Sequence, residues 1–125
     1  MATLNPTITR PAGDDSVQLM VFTPMTFSGT DVTAPIPFAQ WADRSVQVFG
    51  TFGTGGSVRI EGSNDGGTTY AVLNDPSSTA LNITAAGIEE ILEICGLVRA
   101  RVTAGDGSTS LTVAFCLRRQ QQLRT

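Results

Sequence analysis

The sequence predicts an all-β fold: a single-domain β-sandwich or jelly-roll-like arrangement of about eight short antiparallel strands. Three observations carry that expectation. Apolar residues recur with a period of two in several short runs, as in strands with one buried face. Clusters of Gly, Asn, Asp and Pro separate those runs, drawn from 13 glycines and 6 prolines. The composition is 41% hydrophobic but only 15% charged, against a typical ~25% charged. The surface must therefore be built largely from Thr, Ser, Gly, Asn and Gln, and threonine suits a pleated, half-buried strand. At 125 residues the chain has the size of one domain, with enough core to fold without metal or disulfide staples.

Residues 1–15 read as an N-terminal arm, broken by Pro6 and Pro11, Thr-rich, and too poor in apolar groups to give the core a strand. Residues 16–118 read as the β domain and 119–125 as a polar tail carrying Arg119 and Arg124. Val17-Gln-Leu-Met-Val-Phe22 is a dense apolar run, the pattern of a buried strand. Pro24 marks an edge or a bend beyond it. Ser28 to Ala42, with Pro35 and Pro37, reads as a long connection whose Phe38 and Trp41 plug one end of the core or face a partner.

From Ser45 the alternation is clearer. Val46 and Val48 point inward, and the pattern slips at Gly50, where a bulge is expected. Phe49 joins Phe22 and Phe115 as a core candidate. Gly53-Thr-Gly-Gly56 is a tight turn. In Ser57-Val-Arg-Ile-Glu-Gly62, Val58 and Ile60 point inward and Arg59 and Glu61 outward. Ser63-Asn-Asp-Gly-Gly67 signals a hairpin returning along Thr69-Tyr-Ala-Val-Leu73. Ile88 to Ile94 fits either a short helix or a strand, and its neighbours favour strand. Val98-Arg-Ala-Arg-Val102 alternates with arginines outward. Thr103 to Ser108, centred on Asp106-Gly107, signals a second hairpin into the closing strand, Ser110 to Leu117. Cys95 and Cys116 are expected as reduced thiols, with Cys116 a small core residue.

The chemistry the sequence lacks narrows its function. It contains no His, and all 8 basic side chains are Arg. General acid–base work near neutrality most often recruits His, and a Walker-type phosphate loop needs Lys. Two cysteines without His make an uncommon zinc ligand set. Glu89 with Glu90, and Asp14 with Asp15, are sequence neighbours, which a strand turns to opposite faces. Gly53, Gly55 and Gly56 precede no helix signal and read as turn glycines. Asn64, Asp65 and Asp106 could gather at one end of the fold around Ca²⁺, but their spacing matches no calcium loop and turn chemistry is the favoured account. With a net charge of −3 there is no basic footprint for nucleic acid. There is no apolar run long enough for a membrane span and no signal-peptide pattern. The expectation is a non-enzymatic protein with no cofactor and no metal. Trp41 and Tyr70, single members of their types, leave only a small platform for sugars.

Val46-Gln-Val-Phe-Gly-Thr-Phe52 and Val58-Arg-Ile-Glu-Gly-Ser-Asn-Asp-Gly-Gly-Thr-Thr-Tyr70 begin an ordered series of blocks. It continues through Asn74-Asp-Pro, Leu97-Val-Arg-Ala-Arg-Val-Thr-Ala-Gly-Asp-Gly107 and Leu111-Thr-Val. Over somewhat more than half the chain this series resembles small head-module proteins of tailed bacteriophages, some of which look like capsid decoration (cement) proteins. The resemblance implies a homotrimeric virion protein, assembled in the host cytoplasm, that binds the major capsid protein on the head surface and clamps neighbouring subunits. Partner contacts are then expected in the arm, at Thr3, Leu4, Ile8 and Arg10, and in the loop, at Phe38 and Trp41. A tail or fibre module, or a carbohydrate-binding attachment module, is the alternative.

Overall fold

The computed structural model of the chain describes residues 2–13, 16–27 and 31–119. It is all-β. In chain order the strands are β1 (Thr3–Leu4), β2 (Thr7–Thr9), β3 (Val17–Thr26), β4 (Val32–Thr33), β5 (Ile36–Pro37) and β6 (Asp43–Thr51). Then follow β7 (Ser57–Ser63), β8 (Ala71–Val72), β9 (Asn82–Ile83), β10 (Gly87–Glu90), β11 (Leu97–Ala104) and β12 (Ser110–Arg118). They form two sheets. The larger runs β1-β4-β11-β7-β8, with β5 also on β11 and β9 also on β7. The smaller runs β10-β6-β12-β3-β2. The described residues thus form twelve strands where about eight were expected, and six of them, β1, β2, β4, β5, β8 and β9, are only two or three residues long.

The expected inward phases hold along the long strands. Val46, Val48, Val58, Ile60, Val98, Val102, Val113 and Phe115 are fully buried and join one core with Phe22, Met25 and Leu117. Phe22 meets Phe115 edge-on, with ring centroids 6.1 Å apart. Where Leu111 and Val113 of β12 oppose Met25 and Phe22, β3 carries one residue more than its partner, at Thr23–Pro24. That bulge returns Met25 to the core side. It also sits past the last residue of β3 that β2 reaches, Val21, so Pro24 breaks no ladder with β2.

Several expectations are corrected. The N-terminal segment, expected to give no strand, contributes two. β1 pairs parallel to β4 in one sheet and β2 pairs antiparallel to β3 in the other. Backbone hydrogen bonding, which needs no apolar side chain, holds both strands. Asp31 adds to this: its Oδ1 accepts from the Ala2 N–H at 3.3 Å, and its Oδ2 from the Thr26 N–H at 3.0 Å. Asp14, Asp15 and Arg124 lie outside the described residues.

There is no register slip at Gly50. β6 and β12 pair without interruption from Asp43 to Thr51. Gly50 has φ +121°, and an added Cβ there would stand 2.7 Å from the Ser110 carbonyl oxygen. Phe49 consequently stays on the outward phase and is exposed. Cys116 does the same on β12 and is exposed, whereas Cys95 is buried; both thiols are free. The turn around Asp106-Gly107 makes no hairpin, because β11 and β12 belong to different sheets. It carries the chain from one layer to the other. The first hairpin forms as expected, with Glu61 opposite Val72 and Gly62 opposite Ala71. Ile88 to Ile94 is strand only as far as Glu90, and no part of it is helical.

Candidate functional site

The two sheets present outer faces of opposite character. On the larger sheet the face is polar and closed on itself. Alternation places Arg59 and Glu61 of β7, and Arg99 and Arg101 of β11, on the side away from the core. Glu61 nevertheless has a side chain only 3% exposed, because three arginines lie over it. Its Oε1 accepts from Nε of Arg99 at 2.9 Å and its Oε2 from an Nη of Arg101 at 3.0 Å. Nε of Arg59 stands 3.2 Å from Oε2, close enough for attraction but not aligned for a hydrogen bond. Burial works to raise the Glu61 carboxyl, but the hydrogen bonds and charges of Arg101 and Arg99 outweigh it and hold it below its ordinary value. Arg99 also stacks on Tyr70, 3.6 Å from the ring centroid. Each charged group on this face has its partner within the chain.

The outer face of the smaller sheet is the more apolar of the two. Leu19 and Val21 of β3, Ala114 and Cys116 of β12, and Gln47 and Phe49 of β6 share it by register. Ile88 of β10 joins them opposite Gln47. Phe49 is 42% exposed and Ile88 63%. A depression of about 140 Å³ lies between Leu19, Val21, Ile88, Ala114 and Cys116, with Ser45 and Gln47 also in its lining. Charge appears only at the border, where Arg118 donates to Asp43 at 2.7 Å and Glu90 stands at the sheet edge. Ser45, Gln47 and Thr112 share the face by register, and Phe49 and Ile88 stand exposed beside half-buried Leu19, Val21 and Ala114.

The residues expected to meet a partner do not form one site. Thr3 and Leu4 lie in β1, at the edge of the larger sheet, with Leu4 half-buried against the core. Ile8 lies in β2 at the edge of the smaller sheet, 43% exposed, and Arg10 follows it, also exposed. Phe38 and Trp41 are 0% and 2% exposed, so neither can meet a partner. The segment that carries them folds across the end of the core. The Phe38 N–H donates to the Gly96 carbonyl and the Ala42 N–H to that of Arg118, while the Trp41 indole N–H donates to the Pro37 carbonyl at 3.2 Å. With Trp41 in the core and Tyr70 beneath Arg99, the small sugar platform does not exist as an exposed pair of rings.

The acidic turn residues serve their turns. Asp65 accepts from the Ser63 hydroxyl and from the Thr68 and Thr69 N–H groups. These bonds, the Thr69 amide foremost, hold its carboxyl down to about 2. Asp106 accepts from the Ser108 hydroxyl and amide and from the Thr54 N–H, which hold it well below the usual carboxylate range. The two lie at opposite ends of the β7–β11 pair rather than gathering at one. Among the described residues no group of three or more His, Cys, Asp or Glu is placed to hold a metal ion.

Two features went unseen in the sequence although it carries a signal for each. The run from Val17 to Phe22 is apolar in both phases of the strand, which calls for cover on both faces. Its inward phase, Met20 and Phe22, fills the core; its outward phase, Leu19 and Val21, lies on the outer face. Arg44 shares the phase of Val46 and Val48 and is therefore buried, at 7% exposure. It reaches the carbonyls of Ile91 and Leu92 and lies 5.0 Å over the Phe38 ring. No protein-family model matches the chain, and no curated protein matches it.

Proposed function

We propose that this chain is a virion structural protein of the capsid-decoration kind, a homotrimeric cement protein on the outer surface of a phage head. In this reading its two sheets form a β-sandwich of the jelly-roll kind, with no catalytic role. The more apolar outer face of the smaller sheet carries the proposal: it is the surface through which the domain grips neighbouring major capsid subunits. Burying a large apolar side chain such as Ile88 or Phe49 against a partner stabilises by up to ~1.5–3 kcal/mol each. Three such footprints in one trimer reinforce one another, because the second and third bind at high effective concentration. The polar face of Glu61 and its three arginines is the side suited to solvent, where water can reach the guanidinium groups that one carboxylate cannot neutralise. The resemblance of the strand and turn blocks to phage head modules supplies the choice of partner.

The test is co-sedimentation of the purified chain with expanded heads that lack it. Phe49→Asp and Ile88→Asp, both at exposed positions, should keep the wild-type melting temperature and lose head binding. Occupancy equal to wild type in both variants would refute this use of the face. Binding to isolated tails in place of heads would assign the chain to a tail module.

A further inference from the structure

The smaller sheet ends on one side at β10, whose residues, Gly87–Glu90, are all exposed. β10 pairs antiparallel with β6, and its other edge carries no strand. An unpaired edge is where a sheet takes a strand from another chain. We propose that this edge binds an extended segment of a second protein, antiparallel to β10, with two successive basic residues followed by an apolar one. The edge is distinct from the outer face, so this contact stands whatever covers Leu19, Val21 and Phe49.

The backbone sets the mode of binding. The Ile91 N–H donates to the Arg44 carbonyl at 3.1 Å, and in an antiparallel ladder the residues bonded to the neighbour alternate. Gly87 and Glu89 therefore turn their backbone groups to β6, and Ile88 and Glu90 turn theirs to the free edge. Neither has a backbone partner there among the described residues. An antiparallel segment that bonds to both also continues the alternation of direction that runs through the whole sheet.

The side chains set the chemistry of the segment. Ile88 and Glu90 take the outer phase. Glu89, opposite Val46, takes the core-side phase, yet it is exposed. Neither Glu89 nor Glu90 has an ion-pair or hydrogen-bond partner among the described residues. A basic residue beside each of them and an apolar residue beside Ile88 complete the ladder, because opposite charges across a strand pair attract. In the direction of the antiparallel segment the order is basic, basic, apolar. The same two carboxylates keep β10 from its own copy, which would set them among their duplicates. The chain's one pair of adjacent arginines, Arg118-Arg119, is committed elsewhere. Arg118 lies between Val17 and Asp43, and the Arg119 N–H donates to the Ser16 carbonyl at 2.8 Å. The segment therefore belongs to a different protein. The opposite edge, β2, carries no carboxylate and lies between Pro6 and Pro11, residues of the type that guards an edge against added strands.

Amide hydrogen exchange of the whole chain, followed residue by residue by NMR, tests the edge with a short Thr-rich peptide carrying Arg-Arg-Val at its centre. Saturating peptide should slow exchange at Ile88 and Glu90 by about tenfold or more and leave Glu89, already bonded to β6, nearly unchanged. The same peptide with Glu-Glu-Val at its centre should not bind. Glu89→Gln and Glu90→Gln should each weaken binding about two- to fivefold. Glu90→Pro removes an N–H that β6 does not use, so it should keep the melting temperature and weaken binding about tenfold or more. If that variant melts early, the two glutamine variants decide. No protection at millimolar peptide, protection confined to β2 or to the Glu61 face, equal binding of the Glu-Glu-Val peptide, or wild-type affinity in both glutamine variants would each overturn the proposal.

Discussion

Arg59 and Arg101 stand directly opposite each other on β7 and β11, and both approach the same oxygen of Glu61, at 3.2 and 3.0 Å. Two like charges across a ladder are unfavourable; the shared carboxylate makes the pairing tolerable. Replacing it with a neutral isostere leaves three guanidinium groups crowded over one sheet. Glu61→Gln should destabilise the fold by about 2–3 kcal/mol, seen as a lower urea midpoint with an unchanged slope. A wild-type midpoint would mean that the arginines are satisfied by water.

Acid should remove stability in a defined window. The carboxyls of Glu61 and Glu93 lie below their ordinary value of 4.5, and that of Asp65 lies at about 2 instead of 3.8. A group whose pKa is depressed by folding stabilises the native state above its unfolded value and loses that effect as the pH falls through the folded one. The melting temperature should therefore be level through neutrality, where the chain has no His to titrate, and fall below about 4.5. Asp65→Asn should flatten the part of the descent between 3.8 and about 2. A descent in that variant parallel to wild type would contradict the role given to the turn.

The N-terminal strands should matter for stability. Removing residues 1–10 strips β1 and β2 from the edges of both sheets and leaves Asp31, 5% exposed, without its Ala2 donor. The truncated chain should melt several degrees lower. An unchanged melting temperature would restore the picture of a detachable arm.

The two thiols should separate by reactivity. Cys116 is exposed, whereas burial pushes the Cys95 thiol up and shields it. One equivalent of a maleimide should label Cys116 in the native protein, with Cys95 following only on denaturation. Reducing agent should leave the melting temperature where it is. Equal labelling of both in the native state would contradict the burial of Cys95.

Strand phases and turns were readable in the sequence because each is local: alternation fixes the inward set of β6, β7 and β11, and Asn-Asp-Gly-Gly fixes the turn after Ser63. Sheet membership was not local. The Asp106-Gly107 turn has the composition of a hairpin, yet nothing in those residues specifies that β12 joins the other layer. Glu61 reads as an ordinary outward charge until the long-range pairing of β7 with β11 sets Arg99 and Arg101 over it. Phe38 and Trp41 gave an ambiguous signal, since aromatic residues in a Pro-rich loop suit a core plug and a binding surface alike. The outer face of β3 left its signal in the doubled apolar phase of Val17 to Phe22, which reads as a strand buried on both sides.

A reconstruction of the purified particle tests the central claim most directly. The account predicts density for this chain on the head exterior, with Leu19, Val21, Phe49 and Ile88 buried against major capsid subunits and the Glu61 face turned to solvent. Density confined to the tail, or a head-bound chain whose Glu61 face meets the shell, would contradict it.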